Sequence, residues 1–78
     1  MMMYPSTVKK ICLKHNMDLD KVPKDRWAGA AILEVVAKER KCSKKKVIRE
    51  YGLIRTLREL GFDNVVLAYV LLQAQRAE

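Results

Sequence analysis

Cys12 and His15 stand three residues apart, a spacing that puts a thiolate and an imidazole on one turn of a helix, where both could ligate zinc. A tetrahedral site needs four ligands. The nearest further candidates are Asp18 and Asp20, and Cys42 is remote in sequence. The pair therefore reads as a thiol and an imidazole at the edge of a core. Ser6-Thr7-Val8-Lys9 and Ser43-Lys44-Lys45-Lys46 each satisfy a Ser-x-x-Lys string known from acyl-transferring enzymes, but without the companion motifs that such chemistry requires. Helix capping accounts better for both serines. Asp18 and Asp20 lack the glycine and closing glutamate of a calcium loop. No glycine-rich phosphate loop is present. With one histidine and no obvious convergence of carboxylates, the expectation is a protein that is not an enzyme and holds no metal or cofactor.

Charge is the more informative chemistry. The net charge is +7, and it is not spread evenly. Lys38, Arg40, Lys41, Lys44, Lys45, Lys46 and Arg49 share a twelve-residue stretch with a single acid, Glu39, so that stretch alone carries +6. Nine basic and eight acidic residues divide the remaining +1. A local surplus of this kind points to an anionic partner, whereas a scattered one serves solubility.

The elements that position these groups are helical throughout. Seventy-eight residues make a single domain, 1–78, and half of them are apolar, enough for one core. Val8, Ile11, Cys12 and His15 recur at helical spacing, with Ser6 as the expected cap. Residues 16–22 read as a connector. Pro23 suits the first turn of a second helix running to Arg40, apolar nearly all round from Ala28 to Ala37. Trp27 is its expected largest anchor, and Gly29-Ala30-Ala31 would admit a neighbouring helix closely. Ser43 is the expected cap of a third helix that ends at Tyr51 with Gly52 as a left-handed stop. A fourth, residues 53–60, turns Leu53, Ile54, Leu57 and Leu60 to one side and stops at Gly61. Asp63 caps a fifth. Its run from Val65 to Leu72 has no second strand to pair with, so helix is preferred over strand. The expectation is an all-α, compact four- to five-helix domain with a central apolar helix.

Val36-Ala37-Lys38-Glu39-Arg40-Lys41-Cys42-Ser43-Lys44-Lys45-Lys46-Val47-Ile48-Arg49 resembles the helix-turn-helix DNA-binding segment of bacterial and phage transcription regulators. The resemblance covers about residues 34–51. It implies that Ala37 lets two helices approach, Cys42 fills the turn, Ser43 caps the recognition helix and Val47 packs back on the first helix. The segment departs from the family pattern at Arg40, where an apolar residue is usual, and at Lys41, where glycine is common. Arg40 is expected to lay its aliphatic stem inward. Lys41 in a left-handed turn would cost about 1 kcal/mol relative to glycine. On the third helix Val47, Ile48 and Tyr51 share one face, and Lys45, Lys46 and Arg49 fall on the other. The resemblance implies a major-groove role for that second face, with Arg49 the candidate for a guanine edge. Lys38, Lys41 and Lys44 are candidates for phosphate, and Ser43 stands at the same helix start. Lys44, Lys45 and Lys46 occupy a first turn whose dipole is already positive, an arrangement that a bound phosphate would reverse from unfavourable to favourable.

The reading is thus a small basic DNA-binding protein, a regulator, whose partner is nucleic acid, in the first place duplex DNA. The alternative is a protein-interaction module (an inhibitor, antitoxin or phage-type accessory protein) that docks the same basic stretch on an acidic protein surface. Structured RNA is a third option, disfavoured because Tyr51 is assigned inward and no aromatic platform remains there for stacking. Met1–Pro5 is too short for the apolar core of a signal peptide, and the eight-residue run from Val65 to Leu72 is too short to span a bilayer. A cytoplasmic protein with reduced thiols and no membrane contact is expected. The fifth helix has more apolar residues than one small core needs. Central packing against Ala28–Ala37 is preferred, with a homodimer through residues 64–76 as the other use.

Overall fold

Short helices separated by strong stop signals can bury their apolar stripes only by packing against one another, and the computed structural model, which describes residues 2–76, does this with five helices. They are α1 (Pro5–Lys14), α2 (Arg26–Arg40), α3 (Lys44–Tyr51), α4 (Leu53–Glu59) and α5 (Asn64–Arg76). No strand occurs among the described residues. The all-α class expected from the sequence is the one observed. One hydrophobic core joins all five helices, with Val8, Ile32, Leu33, Val36, Val47, Leu53, Leu57 and Val70 fully enclosed. The domain measures 30 × 25 × 19 Å.

α2 is the central element, packed on α1, α3 and most extensively α5. Gly29 is the reason α5 lies so close. A Cβ at this position would stand 2.9 Å from both Val66 Cγ1 and Val70 Cγ2. Helix α2 begins later than Pro23, at Arg26, because Asp25 is the better cap: its Oδ1 accepts from the Ala28 N–H at 2.9 Å. Pro23 and Lys24 stay in the connector, where Lys24 Nζ donates to the Leu19 carbonyl at 2.9 Å. Ser6 does not cap α1. Pro5 opens that helix, its missing N–H and fixed φ suiting the first position, and Tyr4 is the residue before it. The entry is fixed by two bonds to Met3, whose N–H donates to the Tyr51 carbonyl at 2.7 Å and whose own carbonyl accepts from Thr56 Oγ1 at 2.8 Å. α4 ends one residue earlier than expected, at Glu59.

Trp27 is not a core anchor: it is 64% exposed. It lies seven residues before Glu34, on the same outward line of α2, and its ring meets Tyr69 edge-on at 6.3 Å between centroids. No helix among the described residues is long and apolar enough to cross a membrane.

Candidate nucleic-acid interface

The turn between α2 and α3 is built from three residues, each with a distinct task. Lys41 adopts the left-handed conformation, φ 53° and ψ 48°, at the end of α2. Its N–H donates to the Lys38 carbonyl at 3.3 Å, and the Cys42 N–H donates to the Ala37 carbonyl at 3.1 Å. This pair of reversed bonds closes the helix as a glycine-type stop does, and Cys42, half-buried, packs on the core beside it. Ser43 then starts α3, its Oγ accepting from the Lys46 N–H at 3.1 Å. Val47 is fully buried, and Ile48 and Tyr51 are half-buried against the core. The outward side of α3 is consequently Lys46 and Arg49, both exposed, with Lys45 beside them and half-buried.

Geometry divides the sequence-predicted residues into two sets that meet at Ser43. One concavity of about 390 Å³ is lined by Ser43, Lys45, Lys46, Arg49 and Glu50. A broader, shallower one of about 770 Å³ is lined by Lys38, Lys41, Lys44, Cys42 and Ser43, with Ala37 and Glu34. These are the groove and phosphate sets named from the sequence. The seven residues of the two sets thus run from the last turn of α2, through the turn, to Arg49 in the last turn of α3. A third depression, about 230 Å³, lies where Lys45, Ile48 and Arg49 of α3 face Leu71, Ala74 and Gln75 of α5.

The electrostatics of the edge are set by what its charges do not touch. Among the described residues the ion pairs are Lys9–Asp20, Lys14–Glu39 and Arg55–Glu59, and the His15 ring also meets Glu39. None involves Lys38, Lys41, Lys44, Lys45, Lys46 or Arg49. Glu39, the one acid of the basic stretch, turns away from it: its carboxylate takes Lys14 Nζ at 3.0 Å and His15 Nε2 at 3.2 Å, tying α2 to the end of α1. The Lys14 hydrogen bond first, and the His15 contact second, hold its pKa below the usual glutamate value. In the sequence Glu39 counts against the patch, and its partnership with Lys14 and His15 is not visible there. The only available signal was the Lys14-His15 pair at the end of a helix. Two other acids, Glu34 and Glu50, rim the two concavities and lower the positive potential there.

Arg40 is exposed, and its guanidinium sits 5.8 Å from the centre of the Tyr51 ring, a cation–π contact that occupies the ring's face. α3 has no acid in its first turn, so three ammonium groups stand against the positive end of its dipole. Cys12 is fully buried, not at the core's edge, and burial pushes its thiol up to about 11. His15 points instead to Glu39. Among the described residues no three of His, Cys, Asp and Glu stand close enough together to hold a metal ion.

No protein-family model, curated protein or solved structure matches the chain.

Proposed function

We propose that this protein is a small, non-enzymatic, cytoplasmic DNA-binding regulator that uses α2 and α3 as a helix-turn-helix pair. The observation that carries the reading is a set of six cations along the α2–α3 turn and the outer side of α3, none of them in an ion pair among the described residues, with the apolar side of α3 locked into the core by Val47. A merely solvated surface has no need of three cations set against the positive end of a helix dipole. Lys38, Lys41 and Lys44 neutralise phosphates and set the position of the protein on the duplex. Lys45, Lys46 and Arg49 face the major groove, with Arg49 able to take guanine O6 and N7 together. Fluorescence anisotropy on duplex DNA across a salt series tests this. The three phosphate contacts give a slope of about −2.7 in log affinity against log salt, so raising salt fourfold weakens binding by about 40-fold. Absence of binding at low salt to any duplex refutes it.

A second reading has one observation in its favour. Glu34 and Glu50 beside the two concavities suit a partner of mixed charge better than a uniform polyanion. Under that reading the basic edge docks on an acidic protein. Co-purification then recovers one protein in stoichiometric amount, and Lys45→Glu, Lys46→Glu and Arg49→Glu together abolish the complex.

A further inference from the structure

α5 carries a second surface, chemically the opposite of the basic edge. From Asn64 to Gln75 it contains no charged residue, in a chain that is 32% charged. Val66, Leu67, Val70 and Ala74 enter the core, which leaves Val65, Ala68, Tyr69 and Leu72 on the other side. Val65 is 77% and Leu72 43% exposed. Trp27 of α2 extends this strip alongside Tyr69, and Arg26 lies over both rings, at 5.0 and 5.8 Å. An aromatic side chain presents on the order of 150–250 Å², so Trp27 alone leaves a large apolar surface in water. Isolated exposed apolar residues need no explanation, but a contiguous strip rimmed by polar groups marks a contact.

We infer that this strip is the interface of a two-fold dimer, with α5 of one copy antiparallel to α5 of a second. The occupant is identified by self-complementarity, which an isologous contact requires. In the antiparallel register that sets Val65 against Leu72 of the second copy, Ala68 falls opposite Tyr69, the smallest residue of the strip facing the largest. The same register brings exposed Arg76 toward the start of the second α5, where exposed Asp63 stands, so by symmetry each end of the contact brings opposite charges together. The helix dipoles oppose, which favours the pairing. The contact is about one 13-residue helix long, roughly 20 Å. That places it at the small end of stable interfaces, and the dimer is reversible in the micromolar range.

The dimer does not depend on the DNA reading, but it has a consequence for it. α3 packs on the flank of α5. Three helix-to-helix spacings of about 8–10 Å separate the two copies of α3 by about 24–30 Å when the axes lie in line. This approaches the roughly 34 Å between half-sites one turn apart on DNA.

The test is sedimentation velocity of the full chain from about 1 to 500 µM, read together with the fluorescence of Trp27, the only tryptophan. Dimer formation moves Trp27 emission to the blue and reduces its quenching by acrylamide as concentration rises. Val65→Lys and Leu72→Glu, at exposed positions where circular dichroism will stay unchanged, each raise the dissociation constant by about 30-fold or more. A chain that stays monomeric with concentration-independent emission overturns the inference, as does a dimer insensitive to both variants. Anisotropy of the Val65→Lys variant on a single half-site separates the two claims: binding there with no dimer means the interface reading alone has failed.

Discussion

Replacing Lys41 by glycine separates what this residue does for folding from what it does for binding. Lys41 sits at φ 53° with its side chain exposed and in no ion pair among the described residues. A non-glycine residue in this conformation carries about 1–2 kcal/mol of strain, which glycine removes. Glycine in turn gives the unfolded chain more freedom, worth about 0.5–1 kcal/mol. The balance is a gain of about 0.5–1 kcal/mol, and in a domain of this size that raises Tm by about 2–8 °C. Binding moves the other way. Loss of one phosphate contact lowers the salt slope by about 0.9. Lys41→Ala is the matched control, because it removes the same charge while keeping the left-handed strain. Thermal melts followed by circular dichroism and anisotropy on one duplex give both numbers for both variants. The expected pattern is a raised Tm for Lys41→Gly only, with an equally reduced salt slope for both. Should Lys41→Gly melt no higher than Lys41→Ala, the left-handed turn is refuted; should the slope be unchanged in both, Lys41 touches no phosphate.

Three further outcomes follow from the packing. Gly29→Ala gains helix propensity worth about 1 kcal/mol, but its Cβ meets two valine methyl groups at 2.9 Å. Overpacking of this kind costs about 1–3 kcal/mol, so urea denaturation should show a net loss, and a more stable variant would mean α5 is not seated on Gly29. The two cysteines should differ in reactivity toward a disulfide reagent at pH 8: Cys42, half-buried, reacts quickly, while enclosed Cys12 reacts only on unfolding. Cys12 also links stability to pH, because its folded pKa of about 11 stands above the ordinary 9.0. The folded state holds the proton longer, so its contribution is complete below pH 9 and is lost as pH rises from 9 to 11. An alkaline melt series on Cys12→Ser against the native chain reads that loss directly.

The helices themselves were legible because their stops are written in local chemistry. Ser43, Gly52 and Asp63 mark ends that depend on no distant contact and fall where they were expected, and Gly61 takes a positive φ one residue beyond Leu60, the cap of α4. The start of α1 was not legible, because Met3 is tied to Tyr51 and Thr56, about fifty residues away. Trp27 was misjudged by treating size as burial, although Glu34 seven residues later already marked that line of α2 as outward. At the candidate site, the buried and exposed faces of α3 followed from periodicity alone, since Val47 has no other place to go. The fate of Glu39 and of Arg40 did not. Each is decided by a partner on another helix, Lys14 and His15 for the first and Tyr51 for the second. The apolar count of α5 correctly suggested a surplus; its division between core and solvent required the position of Gly29.

The central claim is that the cations from Lys38 to Arg49 form one surface that takes a nucleic-acid backbone. An amide chemical-shift titration of the isotope-labelled chain with a short DNA duplex at low salt maps that surface residue by residue. The account predicts shifts concentrated from Lys38 to Arg49, strongest at the Ser43–Lys46 amides, and reversed by added salt. Shifts that centre on α1 or on Val65–Leu72, or a spectrum unmoved by excess duplex, would contradict it.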